Sequence, residues 1–118
     1  MDILHINTRS RIDMVDITTQ VQTLIANKGW SDGILTLYVP HTTAGLTINE
    51  NADPDVRRDM IMEMNKVIPL EDGYHHLEGN SAAHIKTSLF GSSETLIIED
   101  GEIQLGTWQG IYFADFDG

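Results

Sequence analysis

Asp100-Gly101 lies between two β-rich runs, Thr95-Leu96-Ile97-Ile98-Glu99 and Glu102-Ile103-Gln104-Leu105. A tight two-residue hairpin turn needs positive φ at both central positions, which Asp and Gly tolerate, so the two runs read as paired antiparallel strands. That pairing sets the class of fold before anything else is known. At 118 residues with 41% apolar side chains, the chain matches one domain with an ordinary core. It is too short for a (β/α)₈ barrel, which needs at least ~200 residues. A single domain over 1–118 is expected.

The other segments fit around the hairpin. Ile3 to Thr8 alternates apolar and polar residues and predicts a strand. Asp16 is a candidate N-cap for a helix carrying Ile17, Val21, Leu24 and Ile25 at helical spacing and stopping at Gly29. Gly33 to Val39 predicts a strand ended by Pro40, which has no N–H for a sheet ladder. A second strand through Leu46-Thr47-Ile48 leads into Asn49-Glu50-Asn51. Asp53-Pro54 predicts a helix start, because Asp caps free N–H groups and Pro at the first helical position loses nothing. Val56, Met60, Met64 and Val67 form its apolar stripe, and Pro69 ends it. A polar connection from Glu71 to Ala83 precedes a short helix over His84 to Phe90, closed by Gly91, and Ile111 to Phe116 predicts the last strand. The expectation is an α+β fold with two main helices and a mixed or largely antiparallel sheet.

Seven Lys and Arg stand against eighteen Asp and Glu, a formal charge of −11. Such a chain repels nucleic acid and anionic membrane at long range, so neither is expected as a partner. A small anion can still be held locally by N–H groups, a lysine or a bound cation. There are no cysteines, so any metal must use His, Asp, Glu or water. The start, Met1-Asp2-Ile3-Leu4-His5, lacks the basic and apolar regions of a signal peptide, and no run approaches ~20 apolar residues. A cytoplasmic location is expected.

His41 sits at a strand end, His76 in the polar loop and His84 at a helix start. Three neutral imidazoles plus water suit a divalent cation, zinc first, and an open fourth position is the mark of a catalytic site. Surface or hydrogen-bonded loop histidines are the alternative. Glu50, Asp53 and Glu78 are candidate general bases or supporting acceptors. Their structural alternatives are a solvated side chain, a helix cap and turn chemistry. Thr42, Lys86 and Ser88 are candidates for holding an anionic group, against a surface counter-charge for Lys86. Trp108-Gln109, framed by Gly106 and Gly110, offers either a flat stacking face or a core or interface anchor.

Four motifs in order, His41-Thr42-Thr43-Ala44 through Asn49-Glu50-Asn51-Ala52-Asp53-Pro54, Tyr74-x-His76-x-Glu78-Gly79-Asn80, His84-x-Lys86-x-Ser88-Leu89-x-Gly91 and Gly106-Thr107-Trp108-Gln109-Gly110, resemble the YjbQ-like family. Some members are described as secondary thiamine-phosphate synthases. The resemblance spans nearly the whole chain and implies an α+β fold with a mixed, barrel-like sheet and a trimeric assembly. It also implies a polar site bearing His41, His76 and His84, with Asn49, Asn80, Lys86, Ser88, Trp108 and Gln109 on the substrate side. His5 lies outside the motifs and His75 falls on a variable position, so both are expected to be structural or surface residues. Similar members continue past Phe116-Asp117-Gly118 into a basic segment and a final strand. An edge strand and some subunit contacts are therefore expected to be missing here or differently supplied.

The first functional expectation is a metal-assisted enzyme acting on a small phosphorylated substrate, with thiamine-phosphate synthesis as a secondary activity. A non-catalytic trimeric module that binds a metal or small anion is the second. A structural subunit whose motifs only pack about a threefold axis is the third, and it predicts that the three histidines lie apart.

Overall fold

The structure, a computed structural model, describes residues 1–118. In chain order the elements are β1 (Asp13–Asp16), α1 (Thr18–Lys28), β2 (Gly33–Tyr38), β3 (Ala44–Glu50), α2 (Pro54–Val67), α3 (Ser81–Phe90), β4 (Ser93–Glu99), β5 (Glu102–Ile103) and β6 (Gln109–Asp115). They form two three-stranded sheets, ordered β1-β6-β3 and β2-β4-β5. Every strand pair is antiparallel.

The α+β class and the antiparallel bias hold, whereas a mixed sheet closing like a barrel does not form. Its absence follows from Pro40, because β2 stops at Tyr38 and pairs with β4, while β3 starts at Ala44 and pairs with β6. The Pro40–Thr43 link thus carries the chain from one sheet to the other. Asp100 (φ 50°) and Gly101 (φ 77°) make the predicted hairpin turn.

Side-chain alternation along β6 explains the layering. Ile111 joins Ile17, Val21, Ile25, Leu46, Leu96 and Ile98 in one core, packed under α1 and the β2-β4-β5 sheet. Tyr112, Ala114 and Phe116 face the other way and join Met14 and Ala83, with Met60, Ile61 and Phe90 from the helices packed against them. The β1-β6-β3 sheet is therefore covered on both faces, by α1 and the second sheet on one side and by α2 and α3 on the other.

Two local expectations are corrected. Residues 3–8 form no strand, although Leu4 and Ile6 do pack against the first core. They pair with neither edge strand of the β1-β6-β3 sheet, so their apolar residues are used for packing alone. The third helix begins at Ser81 instead of His84, because Ala82 and Ala83 are too small to mark an apolar stripe yet are buried. Asp16 ends β1, and Ile17 occupies the cap position of α1. The Asp16 carboxylate nevertheless accepts the Thr18 backbone N–H at 2.9 Å, as a cap would. Gly29 closes α1 at φ 67° and Asp53 caps α2 by accepting Asp55 N–H at 2.9 Å. Along α2, Val56, Met60 and Met64 are half-buried, but Val67 at the end of the stripe is exposed. No helix is long and apolar enough to cross a membrane.

Candidate functional site

The loop before α3 and the first turn of α3 bring two of the three motif histidines together. Gly79, at φ 76°, lets the chain fold back so that its N–H reaches the His76 carbonyl at 3.2 Å. That turn sets the His76 ring edge-on to His84, centroids 5.5 Å apart and planes at 79°. Glu78, within the same turn, has Oε1 4.0 Å from His76 Nε2. His84 is held by helix geometry and His76 by the turn, so the pair is defined by backbone.

His41 does not join them. It is exposed in the link between β2 and β3, and no group of three or more His, Asp or Glu side chains is assembled to hold a metal. The donor set is thus two imidazoles and a nearby carboxylate, which suits a divalent cation in kind and is short by one nitrogen ligand. His75 is exposed, and His5 lines a separate cavity with Asp13, Asp16 and Arg57.

The remaining candidates separate by place. Asp53 is used as the α2 cap. The Glu50 carbonyl accepts the Tyr112 hydroxyl at 3.0 Å, and neither carboxylate lies within ion-pair distance of a histidine. Ser88 donates to the His84 carbonyl at 3.0 Å on the exposed side of α3. Asn49 Oδ1 accepts the Glu50 N–H, Thr42 is exposed, and Gln109 Oε1 accepts the Gly106 N–H at 2.8 Å, closing the turn before β6. Trp108 is 62% exposed, which excludes a core anchor within the chain and leaves its face open.

Lys86 and Asn80 are buried on the sheet side of α3. The Lys86 ammonium donates to Asn65 Oδ1 at 2.6 Å, and burial pulls its pKa below the ordinary 10.5. Because the folded pKa lies below the unfolded one, the unfolded chain binds more protons in the window between them, so this group's contribution to stability rises with pH there. Lys86→Met should therefore be more stable than the native protein by about 1 kcal/mol at pH 7. In urea titrations at stepped pH that advantage should shrink as pH approaches 10.5; an advantage independent of pH contradicts the burial of a charged amine.

A third polar group was not signalled by any spacing. Arg57, on α2, donates to the Met14 carbonyl at 2.9 Å and lies 5.7 Å from the Tyr112 ring centre. Asn51 Nδ2 donates to Asp16 Oδ2 at 3.1 Å. Partial burial opposes the Asp16 charge, but hydrogen bonds from Thr18 and Asn51 and the Arg57 charge outweigh it and hold the pKa below 3.8. Burial pushes the Tyr112 phenol above 10.0, with Asp16 and Glu50 adding and Arg57 opposing. This network ties α2 to β1 and β6.

Fold and motif residues together define a small α+β protein with a histidine pair on an exposed loop-helix junction. The model of the family described as UPF0047 protein YjbQ-like matches residues 2–118, and the chain belongs to that family. It is 56% identical over 114 residues to UPF0047 protein MJ1081 of Methanocaldococcus jannaschii, covering 97% of this chain and 83% of that one. It is 51% identical over 116 residues to UPF0047 protein YugU of Bacillus subtilis, covering 98% and 88%. The crystal structure of an uncharacterized conserved protein of the YjbQ/UPF0047 family from Clostridium acetobutylicum superposes with a TM-score of 0.93 at 54% identity, covering 96% of this chain and 88% of that one. A conserved hypothetical protein from Thermus thermophilus gives 0.86 at 39% identity, covering 92% and 85%.

Proposed function

We propose that this chain is a metal-assisted enzyme acting on a small phosphorylated substrate, with His76 and His84 as metal ligands, His41 as the third, and Glu78 as the general base. The observation that carries the reading is the edge-on His76–His84 pair with the Glu78 carboxylate 4.0 Å from His76. Zinc is the preferred ion, since three imidazoles suit it and the chain has no thiolate to offer. A divalent ion there supplies positive charge for phosphoryl oxygens or lowers the pKa of a bound water. The chain's own residues do the rest. His84 is fixed by its helix and His76 by the Gly79 turn, and Glu78, 4.0 Å from His76 Nε2, must close to hydrogen-bond distance to orient the ring or to take a proton. His41, exposed on the β2–β3 link and separate from the pair in this structure, is the third ligand of this reading and reaches the ion only by movement of that link. Thiamine-phosphate synthesis, which joins a pyrimidine diphosphate to a thiazole phosphate with loss of pyrophosphate, is the first reaction to assay.

A homotrimer belongs to the same proposal. In its support, the outer face of β2 and β4 exposes Ile34, Tyr38 and Ile97, an apolar surface that assembly would cover.

The second reading, a non-catalytic metal- or anion-binding module, is favoured by the placement of Glu50 and Asp53 away from the histidines, which leaves one carboxylate for catalysis. Substitutions separate the two. His41→Ala, His76→Ala and His84→Ala should each abolish bound zinc in elemental analysis while the domain stays folded, and His5→Ala and His75→Ala should leave it unchanged. Equal metal content in all five variants refutes the assignment. Glu78→Gln should keep the zinc and slow turnover by roughly 10²-fold or more; full activity in that variant moves the balance to the binding module.

A further inference from the structure

Beneath α3, on the side away from the histidine pair, two buried polar residues, Lys86 and Asn80, line one cavity together with the exposed Asn65. Lys86 follows His84 by two residues, roughly 200° around the helix axis at ~100° per residue, and only 3% of it is exposed. Its Nζ is bonded to Asn65 Oδ1 and lies 5.9 Å from the centre of the Phe116 ring. The four ion pairs of the chain are Arg11–Asp117, Lys28–Asp2, Arg58–Asp55 and His76–Glu78, so this ammonium has no carboxylate partner. Asn80, 7% exposed, donates its amide to Asp117 Oδ2 at 2.9 Å and leaves Oδ1 with no partner at all. The cavity that Lys86 and Asn80 share with Asn65, Arg11, Leu70 and Phe116 has a volume of about 350 Å³.

A buried ammonium without a counter-charge is costly, and a chain with eighteen acidic residues had carboxylates to spare for it. The missing charge is supplied if the cavity takes an anion. The donors are the Lys86 ammonium, the amide N–H groups of Asn65 and, at the rim, the Arg11 guanidinium, one N–H of which is already paired with Asp117 at 3.2 Å; several N–H groups suit an anion with several oxygens better than a planar carboxylate. Asn80 lines the same cavity, and its occluded Oδ1 is left without a hydrogen-bond partner. Leu70 and Phe116 add an apolar wall, and the volume is in the range of small-ligand sites.

We propose that this cavity binds a small phosphomonoester, its phosphoryl group on Lys86 and its apolar body against Leu70 and Phe116. The inference goes beyond the functional reading, because a phosphoryl group held here lies away from the His76–His84 pair and out of reach of a metal on it. It places the phosphoryl anchor on the opposite face of α3 from the histidines.

Calorimetric titration of the full chain with phenyl phosphate, inorganic phosphate and benzoate tests it. The native protein should bind phenyl phosphate more tightly than either of the others. Lys86→Met should weaken phenyl phosphate and inorganic phosphate by at least about tenfold with zinc content unchanged. Leu70→Trp, which fills the apolar wall and leaves Lys86 in place, should weaken phenyl phosphate and spare inorganic phosphate. His84→Ala should lose zinc and retain phosphate binding. The proposal is overturned if the native protein binds no phosphate at millimolar concentration, if benzoate binds as well as phenyl phosphate, or if His84→Ala weakens phosphate as much as Lys86→Met does.

Discussion

Gly45→Ala should lower the melting temperature by ~10 °C, the consequence of about 3 kcal/mol of lost stability. A Cβ at this position would stand 2.6 Å from the Gly91 carbonyl oxygen and 3.3 Å from Phe90 Cβ. Neither obstacle is a flexible side-chain end. The same carbonyl accepts the Leu46 N–H at 3.0 Å, so moving it to relieve the clash lengthens or breaks the bond that seats the end of α3 on β3. Overpacking and a weakened buried hydrogen bond therefore act together. Thermal unfolding followed by circular dichroism measures the effect, and a shift of only a degree or two would mean that α3 does not sit this close to β3. Because His84, Lys86 and Asn80 all belong to α3 or its cap, the variant should lose ligand binding along with stability.

Truncation at the centre of the middle sheet should cost as much. Ile111 is fully buried on β6, pairs with Ile48 across to β3 and packs in the core under α1. Its backbone is also fixed, the carbonyl accepting from Ile17 N–H at 2.8 Å and the N–H donating to Thr18 Oγ1 at 2.9 Å. Those bonds hold the strand in place and limit its collapse into the space left by a smaller side chain. Ile111→Ala should therefore lose about 3–4 kcal/mol and Ile111→Val about 1 kcal/mol in urea unfolding. Equal and small losses for the two would show that the core there is loosely packed.

The elements with strong local chemistry were legible from the residues. Asp100-Gly101 specified its turn, Pro40 the end of β2, Asp53-Pro54 the start of α2 and Gly29 the end of α1. What local pattern could not reveal was whether a segment finds a pairing partner. Residues 3–8 have the alternation of a strand, but they pair with no edge strand, and Leu4 and Ile6 pack on the core without a ladder. Site legibility divides in the same way. The motif histidines could be named, whereas the meeting of His76 with His84 depends on the backbone reversal at Gly79 and the separation of His41 on a link between two sheets. From the sequence Lys86 is a candidate for holding an anionic group, with a surface counter-charge as the alternative in so acidic a chain. Only the docking of α3 on the sheet, with Ala82 and Ala83 buried beside it, shows that it faces inward. Arg57, Asp16 and Tyr112 come from three elements far apart in sequence, and no spacing announces their contact.

The most direct measurement of the metal reading is X-ray diffraction of zinc-loaded crystals with data collected on both sides of the zinc absorption edge, which locates the ion and its ligands in one experiment. The account predicts one zinc per chain at the start of α3, with ring nitrogens of His76, His84 and His41 at about 2.0–2.1 Å and an open position toward solvent. Zinc bound elsewhere, or held without His76 and His84, would contradict it.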